Sequence, residues 1–250
     1  MTLDTFFKQN PKVALAFSGG VDSSYLLYAA MQSGTQIRAY YVKSMFQPQF
    51  EMEDAIRLAE LLGADMKILH ADVLAEKKVI ENPANRCYFC KNTIFSMIWQ
   101  TARNDGYTLL MDGTNASDDA DDRPGMKALR EMKVRSPLRE CGLTKTEIRR
   151  LSHEAGLFTW DKPAYACLAT RVPTGDPITA DKLETTEWAE DYLSSLGFTN
   201  FRVRYMNGCA RIQLPASQWQ RLADNRQSIH SYLKQKYRAV LLDLEVRDEQ

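Results

Sequence analysis

Residues 13–24 read Val-Ala-Leu-Ala-Phe-Ser-Gly-Gly-Val-Asp-Ser-Ser, and no other stretch restricts the fold as much. The apolar run from Val13 to Phe17 has the character of a buried strand and stops abruptly at Ser18, Gly19 and Gly20. Asp22, Ser23 and Ser24 stand where a helix begins, ahead of Tyr25, Leu26, Leu27 and Met31 at helical spacing. A strand passed through two glycines into a helix aims unpaired backbone N–H groups and the positive end of a helix dipole at one point. That arrangement suits a phosphate chain. Glycine also lets the backbone close around an anion with no Cβ in the way. The lettering is neither the G-x-x-x-x-G-K-S/T of a Walker loop nor the G-x-G-x-x-G of a dinucleotide site.

Size and charge narrow the field. At 250 residues the chain can form one large domain or two small ones. Lys+Arg and Asp+Glu balance at 32 each, so no global field recruits nucleic acid or an anionic membrane. No apolar run approaches the roughly 20 residues that span a bilayer. The first residues carry Asp4, Phe6 and Phe7 rather than a basic stretch and a long apolar one, so no signal peptide is expected. Five cysteines, two of them in a C-x-x-C pair, do not look like a disulfide framework. A reducing cytosol is the expected compartment.

Strand-like segments at 12–17, 37–42, 65–70 and 108–112 alternate with helical patterns at 23–33, 51–62 and 91–104. This order predicts an α/β fold with a parallel, doubly wound sheet and ligands at the carboxyl ends of its strands. Thr144 and Glu147 predict a capping box that opens a further helix ending at Gly156. After Pro173 the pattern becomes helix 179–196, strands 201–205 and 210–214 around Asn207-Gly208, a long helix 216–236 and a strand 239–246. The expected domains are therefore 1–172 and a small α+β module, 173–250. Asp118, Asp119, Asp121 and Asp122 form a short acidic patch that by itself reads as a solvated loop.

Cys87 and Cys90 enclose Tyr88 and Phe89 and are followed by Lys91. Such a pair serves as a redox dithiol, as half a zinc site or as part of an iron–sulfur site. No thioredoxin-like strand leads into it, and Cys141, Cys167 and Cys209 offer no second close pair. Buried free thiols are the plain alternative. His70, His153 and His230 are scattered and indicate neither a histidine metal site nor a histidine base.

The Ser-Gly-Gly-Val-Asp-Ser of residues 18–23 resembles the pyrophosphate loop, or PP-loop, of the ATP pyrophosphatases. Further motifs recur in order: Gly113-Thr114-Asn115, Arg123-Pro124-Gly125, Val134-Arg135-Ser136-Pro137-Leu138, the Cys167 neighbourhood 159–178, and Arg202-Val203-Arg204. Together they resemble the LarE family of ATP-dependent sulfurtransferases in nickel-pincer nucleotide biosynthesis. The resemblance implies adenylation of pyridinium-3,5-biscarboxylic acid mononucleotide with loss of pyrophosphate. Sulfur then displaces AMP and remains on the substrate as a thiocarboxylate. It implies ATP and Mg²⁺ at Ser18, Gly19, Gly20, Asp22, Ser23, Ser24, Gly113, Thr114 and Asn115, with Asp118 and Arg123 near the nucleotide. Cys167 matches the cysteine that surrenders its own sulfur in one branch. With Cys87 and Cys90 it resembles the branch whose three cysteines hold a 4Fe-4S cluster.

Other family implications are a small-molecule nucleotide substrate, a sulfide source, other proteins of the same biosynthesis and a homo-oligomer. Lys162 and Arg171 flank Cys167 and would supply positive charge. Arg202 and Arg204 alternate along a strand, share one face and fit a phosphate clamp, against a plain reading as solvated arginines. Three rivals remain at this point. A tRNA-thiolating PP-loop enzyme would want a basic face; an amidotransferase-type synthetase would leave the cysteines idle; and a nucleotide sensor would do no chemistry.

Overall fold

A computed structural model describes residues 1–118 and 124–248, so the expectations for Asp119, Asp121, Asp122 and Arg123 lie outside the described residues. The chain divides into two compact units, Met1–Val73 with Asn85–Lys162, and Leu74–Ala84 with Pro163–Gln250.

The first unit opens with α1 (Leu3–Gln9), β1 (Lys12–Phe17), α2 (Val21–Gln32), β2 (Gln36–Lys43), α3 (Gln49–Leu62) and β3 (Met66–His70). The single turn α4 (Lys77–Ile80) belongs to the second unit. The first unit resumes with α5 (Arg86–Asn104), β4 (Leu110–Met111), α6 (Pro124–Glu131), α7 (Pro137–Glu140) and α8 (Lys145–Glu154). Its four strands form an all-parallel sheet in the order β3-β2-β1-β4, the α/β architecture expected for a PP-loop protein. Val13, Ala14 and Leu15 are consecutive and wholly buried, as a central parallel strand covered on both faces requires. Val13 and Leu15 pack into one core with Leu26, Leu27, Leu58, Met111 and Ile148.

The strand order carries a functional consequence. From β1 the chain adds β2 and then β3 on one side, and later adds β4 on the other. The carboxyl ends of β1 and β4 therefore flank a topological switch point, where parallel sheets bind ligands.

The second unit contains α9 (Ala180–Ser195), β5 (Arg202–Met206), β6 (Cys209–Gln213), α10 (Trp219–Asp224), α11 (Arg226–Leu233) and β7 (Ala239–Leu242). β5 and β6 are an antiparallel hairpin, and β7 joins β6 in parallel. Asn207 and Gly208 both take positive φ, 49° and 77°, as the two-residue turn requires.

Several expectations need correction. The helix expected over 216–236 is broken into a short 3₁₀ turn, α10 and α11. Asn225 interrupts it with φ −97° and ψ 7°, and its side-chain amide joins its own backbone amide on the carbonyl of Arg221. The last strand stops at Leu242, because the Asp243 carboxylate turns back to accept the amide of Glu245. β4 is only two residues long, and α5 begins at Arg86 rather than at Lys91.

Candidate active site

The end of β1 and the start of α2 form the phosphate-type turn. Ser18 and Ser23 hydroxyls lie 3.0 Å apart, and the Ser23 hydroxyl donates to the Gly20 carbonyl at 3.2 Å. Gly20 caps α2 without a side-chain hydrogen bond, so the first amides of a twelve-residue helix stay open to an anion. Gly19 holds φ +72°, and a Cβ there would stand 3.0 Å from that of Ala55 on α3. Glycine is required at that point on both counts.

The loop after β4 faces this turn. A Cβ on Gly113 would sit 2.8 Å from the backbone nitrogen of Ser23, so only glycine allows the two segments to approach. Gly113→Ala should therefore destabilise the protein by about 1–3 kcal/mol, the usual range for overpacking. A urea midpoint equal to that of the wild type would disprove the close approach. The loop is shaped by Asp112, whose carboxylate accepts from the Thr114 hydroxyl at 2.5 Å and the Ser136 hydroxyl at 2.7 Å. Asn115 donates to Asp22 at 3.4 Å and accepts the amide of Ser117 at 2.7 Å. The motif Gly113-Thr114-Asn115 and the Ser136 of the third motif thus meet around one carboxylate.

The sequence reading missed Lys145. Its ammonium lies 2.6 Å from the Asp22 carboxylate, at the first residue of α8. The capping box of Thr144 and Glu147 forms as expected and fixes the start of α8, and so aims Lys145 at the turn. Sequence offered one signal, a lysine directly after the cap, but not its partner 123 positions away.

Lys162 contacts Glu51 at 3.1 Å and Asp54 at 2.8 Å on α3. Burial pushes the Glu51 carboxyl up, and the Lys162 ammonium opposes that shift. Cys87 and Cys90 lie in the first turn of α5, three residues apart, which puts both thiols on one side of the helix start. Cys87 is exposed and Cys90 half-buried. None of the five cysteines is in a disulfide; Cys141 is half-buried and Cys209 buried. Tyr88 donates to Glu131 at 2.7 Å.

In the second unit, Cys167 is half-buried and starts a short 3₁₀ turn, Leu168–Arg171. Arg171 has no exposed surface and is paired with Glu190 at 2.8 Å. Burial alone would lower its pKa, but the Glu190 carboxylate raises it. Arg202 is buried, and desolvation with the nearby Arg171 and Arg247 brings its pKa down to about 10. Arg204 donates to Gln213 and, at 2.8 Å, to the carbonyl of Thr170. It lines an open cavity of about 420 Å³ together with Arg211 and Arg247. Desolvation and those neighbouring guanidiniums also lower the Arg204 pKa, and the Asp243 carboxylate opposes the shift.

Among the described residues, no group of three or more His, Cys, Asp or Glu side chains is placed to hold a metal ion. The cysteine pair at Cys87 and Cys90 has the soft thiolate donors that iron–sulfur centres use. Among the described residues no helix is long and apolar enough to cross a membrane.

No family model matches the chain. It is 36% identical over 250 residues to an uncharacterized protein of Synechocystis, covering 97% of this chain and 92% of that protein. Over 216 residues it is 36% identical to the pyridinium-3,5-bisthiocarboxylic acid mononucleotide synthase of Lactiplantibacillus plantarum, covering 86% of this chain and 78% of the synthase. It is also 24% identical over 193 residues to a tRNA-specific 2-thiouridylase, MnmA, of Thermotoga petrophila, covering 60% and 54%. A serine- and glycine-built turn at the switch point of a parallel sheet, in a chain with such relatives, marks a sulfurtransferase of the PP-loop class. Within that class the chain belongs to the LarE family, the pyridinium-3,5-bisthiocarboxylic acid mononucleotide synthases.

Proposed function

We propose that this protein uses ATP to adenylate pyridinium-3,5-biscarboxylic acid mononucleotide and replaces the activated oxygen with sulfur, in two rounds, for a nickel-pincer cofactor. The observation that carries this reading is the convergence of the α2 amides, Asp22, Lys145 and Asn115 at the switch point. A substrate carboxylate attacks the α-phosphorus of ATP, and the bond to the departing pyrophosphate breaks. The open amides of Asp22 and Ser23 and the ammonium of Lys145 take up the charge that pyrophosphate gains, with Ser24, whose amide caps back to the Gly20 carbonyl, lining the turn. Asp22 is the carboxylate assigned to Mg²⁺, Ser18 is assigned to the phosphates through its hydroxyl, and Gly19 and Gly20 keep Cβ atoms away from them. Gly113, Thr114 and Asn115 close the opposite wall. A thiolate then attacks the acyl-adenylate and AMP leaves, since adenylation turns a poor acyl donor into a good one.

Cys167 is the residue assigned to that sulfur step: the thioester it forms loses its Cα proton, the Cβ–Sγ bond breaks, and the thiocarboxylate departs leaving dehydroalanine, with Arg171 and Lys162 lending positive charge. Cys87, Cys90 and Cys167 are the ligands assigned to a 4Fe-4S cluster. Such a cluster, when bound, would offer an exchangeable sulfide and spare the Cys167 thiol. Arg202 and Arg204 are assigned to the substrate phosphate, Arg204 from the wall of its cavity. Arg204→Ala should weaken binding of the nucleotide substrate by about 1.5–3 kcal/mol, the range for hydrogen bonds to charged groups. ATP affinity should not change in calorimetric titration. An equal loss of both affinities would place Arg204 in the nucleotide site or the scaffold.

Five cysteines outside any disulfide support a reducing cytosol as the working compartment. The exposed side chains of Leu241, Leu242, Leu244 and Val246 support a homo-oligomer. Balanced charge supports a small-molecule substrate over tRNA. Pyrophosphate release measured with the biscarboxylate nucleotide, with tRNA and with neither tests the reading. Release is expected with the nucleotide alone; stimulation by tRNA instead would favour RNA thiolation.

A further inference from the structure

The segment that carries Cys167 is held by arginines. Arg202 Nη2 donates to the carbonyl of Ala164 at 3.1 Å, Arg171 Nη1 to that of Ala166 at 2.7 Å, and Arg204 Nη1 to that of Thr170 at 2.8 Å. Behind them stands one carboxylate, Glu190 on α9, with a side chain only 6% exposed. Its Oε1 accepts from Arg171 Nε at 2.8 Å and from the amide of Val203 at 2.8 Å. Its Oε2 accepts from Arg171 Nη2 at 3.0 Å and from the Tyr165 hydroxyl at 2.5 Å. A carboxylate has about four acceptor positions, so Glu190 is saturated.

Tyr165 and Arg171 bracket Cys167 in sequence, and both end on this one carboxylate. The Tyr165 ring lies beneath two guanidiniums, at 4.4 Å from Arg171 and 5.3 Å from Arg202. The Cys167 backbone is thereby strapped at both ends to a rigid helix and to the first residues of β5. A buried ion pair is a poor way to gain stability compared with apolar packing. It is a good way to fix a backbone in one geometry, and a reacting atom displaced by an ångström loses on the order of a hundredfold in rate.

We propose that Glu190, acting through Tyr165 and Arg171, is the positioning residue that sets Cys167 for sulfur transfer. The inference rests on the reading of Cys167 as the residue of the sulfur step. Neither Glu190 nor Tyr165 touches substrate in this account, and Arg171 acts from within the core.

Tyr165→Phe is the mildest test, because it removes one hydroxyl and leaves the Arg171–Glu190 pair neutral. Glu190→Gln combined with Arg171→Met removes both charges together and avoids an unpaired buried ion. In the full-length protein, Tyr165→Phe should leave pyrophosphate release near the wild-type rate. Thiocarboxylate formed per pyrophosphate should fall about tenfold or more, since only the attacking group is misplaced. Hydrogen exchange should quicken in peptides covering 163–172 and stay unchanged in those covering α2. A wild-type ratio of thiocarboxylate to pyrophosphate in both variants would overturn the proposal, even with exchange altered. Cys167→Ala serves as the parallel control. If that variant still makes thiocarboxylate at the wild-type rate, the parent reading of Cys167 fails, and this inference with it, whatever Tyr165→Phe does.

Discussion

Asp22→Ala should reduce pyrophosphate release by about 10²–10³-fold, the cost of removing one preorganised charged partner from a transition state. The fold should survive, because Asp22 is in the first turn of α2 and is only partly buried. Three features make the expected effect large. The carboxylate stands beside open helix amides; it holds the Lys145 ammonium at 2.6 Å; and it accepts from Asn115 on the opposite wall. Lys145→Ala should lower the same rate and shift the urea midpoint only slightly, since water still reaches both members of its half-buried ion pair with Asp22. Steady-state pyrophosphate release, measured at saturating ATP, checks both variants. Near-normal release by Asp22→Ala would remove that residue from the adenylation step.

The cysteine variants should divide into two groups. Cys167→Ala is expected to abolish thiocarboxylate formation while pyrophosphate release continues, because adenylation precedes sulfur attack. Protein purified without oxygen should be brown and hold about four irons per chain, as a cubane cluster requires. Cys87→Ala, Cys90→Ala and Cys167→Ala should each lose that colour, whereas Cys141→Ala and Cys209→Ala should keep it. A colourless, iron-free preparation that transfers a single sulfur and loses the Cys167 thiol would exclude the cluster and leave a sacrificial cysteine.

Much of the site is legible in sequence, for identifiable reasons. The run Val13 to Phe17 is apolar because β1 is covered on both faces, and Gly19 is fixed by positive φ and the approach of Ala55. Gly113 is explained only in three dimensions, by a Ser23 amide 90 positions away that leaves no room for a Cβ. Lys145 and Glu190 escape sequence reasoning for the same cause. Each is a single charged residue on a helix, and its partner is set by packing rather than by spacing. The helical pattern visible from Lys91 begins about one turn earlier, at Arg86, so Cys87 and Cys90 lie in the first turn of α5. Asn225 looks like one polar residue in an amphipathic pattern, yet its backbone leaves helical dihedrals there, at φ −97° and ψ 7°. Arg202 and Arg204 were visible as a pair on one strand, but their hydrogen bonds to the Cys167 segment were not.

The central claim is that this chain moves sulfur onto an adenylated pyridinium carboxylate. Mass spectrometry of the nucleotide after an anaerobic reaction with ATP, Mg²⁺, sulfide and pyridinium-3,5-biscarboxylic acid mononucleotide tests it most directly. The account predicts products in which first one and then both carboxylates have exchanged oxygen for sulfur, with pyrophosphate and AMP formed alongside. Consumption of ATP to AMP and pyrophosphate with the biscarboxylate recovered unchanged would contradict it.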